Sequence, residues 1–131
     1  MSKLYLLDSS VIIWHLRNRL EIVQLLTRLV DEAPLAYSPL VLFEVQAGMR
    51  DHEDEKTHQF FSSLVEVSLD ARTALYAGNL WRSYRGKGIT LSAIDTMLAA
   101  TAIVHDIPFV SLDYRGFPMP ELRLVPVPDI G

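Results

Sequence analysis

The chain has 131 residues, half of them hydrophobic and 21% charged, a length and balance that suit one compact domain and exclude a disordered chain. Cysteine is absent, which rules out disulfides, a thiolate nucleophile and any Cys-ligated zinc or iron–sulfur site, and fits a reducing cytoplasm. A formal net charge of −4 argues against holding nucleic acid by bulk electrostatics alone, unless the acids gather around divalent cations that invert the local sign.

The first apolar run, Leu4 to Leu7, reads as a buried strand that delivers Asp8 and two serines. Asp8 cuts that run short of signal-peptide length, and no other uncharged run is long enough to span a bilayer, so a soluble cytoplasmic protein without membrane contact is expected. Val11 to Leu16 and Leu20 to Val30 follow as helices, the second with Leu20, Val23, Leu26 or Thr27, and Val30 as its apolar stripe. Leu35 to Tyr37 is a short strand. Ser38 then suits an N-cap and Pro39 the first helical position, opening a helix that runs to about Met49. The charged segment from Asp51 reads as the solvated start of another helix with Phe60 and Phe61 at its apolar end, leading into a strand over 65–69. Asp70 caps a long helix ending near Gly86, with Leu75, Leu80, Trp81 and Tyr84 among its apolar residues. Ser92 to Asp106 is a helix rich in small residues, and strands are expected at Pro108–Ser111 and Leu122–Val127. Strands separated by helices imply crossover connections and a mainly parallel sheet covered on both faces. The expectation is a single three-layer α/β domain over residues 1–131, with ligands gathering at the carboxyl ends of its strands.

Most of the 16 acids lie where solvated acids normally lie, but Asp8, Glu44, Asp95 and Asp113 fall against apolar surroundings. Asp8 and Asp113 each follow a strand, so a parallel sheet stands them at one edge. Glu44 and Asp95 interrupt apolar helices, where an unpaired carboxylate costs several kcal/mol, roughly. Each has a bland explanation when taken alone: Asp8 as a helix cap, Asp95 as a first-turn acid, Asp113 as a turn residue. Jointly they form an all-oxygen cluster, which suits Mg²⁺ or Mn²⁺. Like charges at about 4 Å repel by about 4 kcal/mol at an effective dielectric of 20, so a bound cation is expected to stabilise the fold.

Three motifs extend the pattern: "LLDSSVII", "SPLVLFEVQAG" and "GITLSAIDTMLAATAIVHDIPFVSLD", with Phe117 and the closing "LVPV" also in place. Over nearly the whole chain they resemble, in order, the PIN-domain nucleases, and within them the VapC-type toxins of toxin–antitoxin pairs. The resemblance implies the α/β fold described above and metal-dependent endoribonuclease activity on RNA. On that resemblance Asp8, Glu44, Asp95 and Asp113 are the catalytic, metal-binding carboxylates, with Mg²⁺ or Mn²⁺ as cofactor and Ser10 as a supporting hydroxyl. It further implies a homodimer and a cognate VapB-type antitoxin whose tail covers the acidic pocket, with an arginine among the carboxylates. Ser111 stands where many relatives carry Thr, and "LDYRGF" departs from them around Asp113.

Arg82, Arg85 and Lys87, interleaved with Trp81 and Tyr84, are candidate RNA contacts. Their competing explanation is a packed Trp81 beside cations that favour a helix C-terminus. His15, His52, His58 and His105 show no ligand-like spacing, and "RGKGIT" lacks the first glycine of a phosphate-binding loop. Rival modules fail at single positions: a metal-dependent adhesion site wants a serine where Ile12 stands, and a haloacid-dehalogenase-type phosphotransferase wants an aspartate where Ser10 stands. A receiver-like domain needs a lysine after the late strand, where none is near. The remaining alternative is a catalytically silent PIN-like scaffold that binds RNA or a partner.

Overall fold

The computed structural model describes residues 3–130. Among them lie four strands, β1 (Tyr5–Leu7), β2 (Leu35–Tyr37), β3 (Val65–Glu66) and β4 (Phe109–Val110), and six α-helices. The helices are α1 (Ser9–Leu16), α2 (Leu20–Glu32), α3 (Pro39–Gly48), α4 (Asp54–Ser62), α5 (Ala71–Gly86) and α6 (Ala93–Val104), with one 3₁₀ turn at Asp51–Glu53. The sheet order is β3-β2-β1-β4 and every pairing is parallel. Leaving β1, the chain steps outward to β2 and β3, then crosses back over both to place β4 on the other side of β1. Right-handed crossovers in opposite directions put α1–α4 on one face and α5–α6 on the other, and the packing partners agree: α1 with α2 and α3, α3 with α4, α5 along α6. The result is the expected three-layer α/β architecture.

All three residues of β1 are buried, as a central parallel strand requires. The core continues through Val11, Ile12, Ile22, Val41, Leu98, Phe109 and Val110, all with no exposed surface. Truncating such a residue, Leu6→Ala for example, costs about 2–5 kcal/mol through lost transfer energy and the cavity left behind. Side-chain caps set the helix starts. Ser38 Oγ accepts from the Leu40 N–H (3.2 Å) ahead of Pro39, Asp70 Oδ1 from the Thr73 N–H (2.8 Å), and Ser92 Oγ from the Asp95 N–H (3.3 Å).

Several expectations need correction. The stripe that α2 buries is Ile22, Leu25, Leu26 and Leu29, while Leu20 and Val30 face solvent. At helical spacing Ile22, Val23, Leu25, Leu26, Leu29 and Val30 form one apolar arc; the expected stripe took one edge of it together with Leu20, and the structure buries the other side. Leu75 is likewise exposed, because α5 meets α6 through Thr73, Ala77 and Tyr84. The strand expected over 65–69 keeps only Val65 and Glu66. The strand expected at 122–127 is reduced to one bridge, Leu124 beside Phe109: Phe109 N–H donates to the Arg123 carbonyl (2.8 Å) and Val125 N–H to the Phe109 carbonyl (2.9 Å). Pro126 follows and has no N–H with which to extend the ladder.

Candidate metal centre

The strand order reverses between β1 and β4, and in open parallel sheets the crevice at the carboxyl side of such a point is where ligands sit. Leu7 pairs with Val110, so the next residues on the two strands, Asp8 and Ser111, come side by side. Asp8 is 5% exposed and both of its oxygens are engaged. Oδ1 accepts from the Ser9 N–H (2.8 Å), capping α1, while Oδ2 accepts from the hydroxyls of Ser111 (2.7 Å) and Ser10 (3.3 Å). Ser10 in turn accepts from the Leu112 N–H (3.2 Å) and Ser111 from the Asp113 N–H (3.0 Å). The two strand ends are therefore stitched together by hydroxyls around one buried carboxylate.

Glu44 reaches the same place from α3 and Asp95 from the first turn of α6; both are half-buried. Asp113 stands on the exposed loop after β4, where Oδ1 accepts from the Gly116 N–H (3.3 Å). Burial pushes the Asp8 carboxyl above its usual range, against the pull of Ser111, Ser9 and Ser10, and Asp113 adds to the rise. Glu44 is raised by burial and then by the charge of Asp8, with Ser9 working against. Asp95 is pushed up to about 6 by burial and by Asp8, Glu44 and Asp113 in turn. The structure thus brings all four acids within electrostatic reach of one another. Among the described residues, no Lys or Arg forms an ion pair with any of them.

Two observations bear on whether this cluster fits a hard divalent cation. Glu44 Oε1 is buried with no hydrogen-bond partner, an arrangement whose desolvation cost an oxygen-seeking cation offsets. A side-chain carbon added at Gly116 would stand within 3.0 Å of both Asp113 Oδ2 and Asp95 Oδ2, so those two oxygens converge on a single point. Among the described residues no three acids or histidines close a ligand shell by themselves. Mg²⁺ does not require such a shell, since it keeps several waters and takes only a few protein carboxylates. An all-oxygen donor set without sulfur or nitrogen fits Mg²⁺ or Mn²⁺.

The basic residues lie at the end of the helix that leads into α6. Arg82, Arg85 and Lys87 are exposed at the C-terminal end of α5, the Arg85 guanidinium 5.3 Å above the Trp81 ring and Lys87 Nζ 5.2 Å from that of Tyr84. Trp81 is half-buried and donates to the Leu91 carbonyl (3.0 Å), and Tyr84 is buried with its hydroxyl on the Pro118 carbonyl (3.3 Å). Both rings therefore already serve the fold. His15 packs on Phe60 at 4.7 Å, and His58 lies 3.4 Å from Asp54. Sequence reasoning notes Ser9 and Ser111 without giving either a role at the site, and it does not single out Gly116. Register pairing of β1 with β4 would have flagged Ser111, but nothing local marks Gly116 except a glycine three residues after an aspartate.

A family model for the PIN domain matches residues 5–119. The ribonuclease VapC19 of Mycobacterium tuberculosis is 35% identical over 120 residues, covering 90% of this chain and 96% of that protein. Ribonuclease VapC10 of the same species is 32% identical over 116 residues, covering 88% and 87%. Among solved structures, VapBC2 from Rickettsia felis bound to a promoter DNA fragment superposes with a TM-score of 0.84 at 23% identity, covering 93% of this chain and 97% of that one. DNA-bound VapBC from Salmonella typhimurium gives 0.82 at 22% identity, covering 95% and 98%; these two likenesses are of fold. On the family model and on relatives matched along almost their whole length, this chain belongs to the PIN-domain family, in its VapC branch.

Proposed function

We propose that the chain, as a single PIN-like domain, is a VapC-type endoribonuclease that hydrolyses RNA phosphodiester bonds at the Asp8, Glu44, Asp95 and Asp113 cluster with Mg²⁺ or Mn²⁺. The observation that carries this reading is the convergence of four carboxylates, one of them buried at the β1–β4 crevice, with no Lys or Arg ion-paired to them among the described residues. It agrees with the names of the relatives, ribonucleases VapC19 and VapC10. When bound, a divalent ion supplies positive charge to the phosphodiester and lowers the pKa of water.

The chain's own part in the reaction is to prepare that place. Asp8 is held at the centre by three donors and cannot swing away. Glu44 and Asp95 enter from opposite helical layers, so cation binding draws the two faces of the sheet onto one site. Asp113, exposed on its loop, is the acid nearest to solvent and is suited to holding water against the scissile phosphate. Ser10 and Ser111 favour the ionised form of Asp8 by donating to it, against the effect of burial.

The charge left unbalanced among the described residues fits an arginine supplied from outside, and structural neighbours of the fold are VapBC toxin–antitoxin complexes. We therefore include a VapB-type antitoxin and a homodimer in the proposal. The exposed side chains of Phe43, Leu75 and Leu20 offer apolar surface for such contacts. No helix among the described residues is long and apolar enough to cross a membrane. Cleavage of a panel of single-stranded and structured RNAs, with Mg²⁺, Mn²⁺ or EDTA, tests the activity. The expected result is metal-dependent cutting that is lost in Asp8→Ala and in Asp95→Ala. A folded, antitoxin-free protein that cuts nothing under any metal would leave the silent scaffold in its place.

A further inference from the structure

Gly116 sits in the loop between Asp113 and Phe117, and its backbone does not call for glycine. Among the described residues the glycine in the left-handed region is Gly88, not Gly116. What singles out Gly116 is its surroundings. A Cβ there would lie 2.9 Å from Asp113 Oδ2, 3.0 Å from Asp95 Oδ2 and 3.5 Å from Asp113 Cγ, whereas at Gly48, Gly78, Gly86 or Gly88 it would meet nothing within 4 Å. The Gly116 N–H also holds Asp113 Oδ1 (3.3 Å), which leaves Oδ2 as the oxygen turned toward Asp95.

We propose that Gly116 is a positioning residue for the Asp95–Asp113 pair: its missing side chain lets the two carboxylates, one from α6 and one from the loop after β4, converge on one divalent cation. The inference rests on the metal-dependent reading above. The three atoms nearest the added carbon all belong to short carboxylate side chains and none to the backbone. An alanine is therefore accommodated by turning the carboxylates away and not by moving the fold. Stability should survive the change, and cation binding should not.

Calorimetric titration of Mn²⁺ into the full chain tests this. Relative to wild type, Gly116→Ala should bind Mn²⁺ about tenfold or more weakly, the loss typical when a support of a metal ligand is removed, with its metal-free melting temperature unchanged. Gly86→Ala, whose methyl meets open space, is the control and should match wild type in both readings. In the Asp113→Ala background half of the crowding is gone, so adding Gly116→Ala should cost clearly less affinity than it does in wild type. Should Gly116→Ala melt low, the double variant should recover the lost temperature; no recovery overturns the proposal. Equal Mn²⁺ affinity in wild type and Gly116→Ala, or an equal loss in both backgrounds, also overturns it while the metal reading stands. A wild-type protein that neither binds Mn²⁺ nor cuts RNA removes both.

Discussion

Asp95 serves two purposes that pull against each other. As a first-turn residue of α6 its charge is favoured by the helix dipole and its N–H is satisfied by Ser92, yet burial and three neighbouring acids push its carboxyl up to about 6. Between the unfolded value near 3.8 and about 6 the folded protein holds the extra proton, so the stability of the metal-free chain falls as pH rises through that window and is regained on acidification. Asp8 and Glu44 are shifted in the same direction; His15, lowered by burial and then by Lys56, opposes them by losing stability as pH falls. Asp95→Asn should accordingly stabilise the metal-free protein at pH 7.5 by about 1–2 kcal/mol after allowance for solvent screening, read as a higher melting temperature, and flatten the dependence on pH between 3.8 and about 6. The same variant should lose RNA cleavage; loss of stability with activity intact would overturn the assignment. Protons and cation compete for the same oxygens, so Mn²⁺ affinity of the wild type should drop as pH falls below about 6, which calorimetry at several pH values checks.

The elements that carry the site were largely legible because their signals are local. Ser38-Pro39, Asp70 and Ser92 mark helix starts by side-chain oxygens that satisfy backbone N–H groups, and each does so here. Ser38→Ala, at a fully buried cap, should cost about 1–2 kcal/mol in chemical unfolding. Ser92→Ala should cost about 1 kcal/mol and also loosen the turn that aims Asp95, so its Mn²⁺ affinity should fall where that of Ser38→Ala falls less. The bland explanations for Asp8, Asp95 and Asp113 turn out to hold alongside their convergence: Asp8 caps α1, Asp95 occupies a first turn, and Asp113 closes a turn onto Gly116. What stayed hidden depended on interactions between distant segments. The strand at 122–127 is lost where Pro126 ends a ladder, and the role of Gly116 is set by two carboxylates, one of them from another element.

For the molecule as a whole, a cation that binds only the folded state adds stability by mass action, about 2.7 kcal/mol when present at a hundred times its dissociation constant. Mn²⁺ should therefore raise the melting temperature in a concentration-dependent way that EDTA reverses, and Asp8→Ala should not respond. The basic end of α5 gives a separate test, since Arg85 and Lys87 already cover the rings of Trp81 and Tyr84. Charge reversal at both should weaken RNA binding and lower its salt slope by about 0.7 for each phosphate no longer neutralised; an unchanged slope would assign those cations to the helix end alone. The strand order β3-β2-β1-β4 has a further consequence for how the chain comes into being. On the ribosome, β1 can pair with β2 early, but its other edge stays open until residue 110 has emerged, some hundred residues later. A nascent or prematurely terminated chain that ends before residue 95 therefore presents an unpaired central edge and half of the four acids. Such a fragment is prone to association and, lacking Asp95 and Asp113, should cut no RNA.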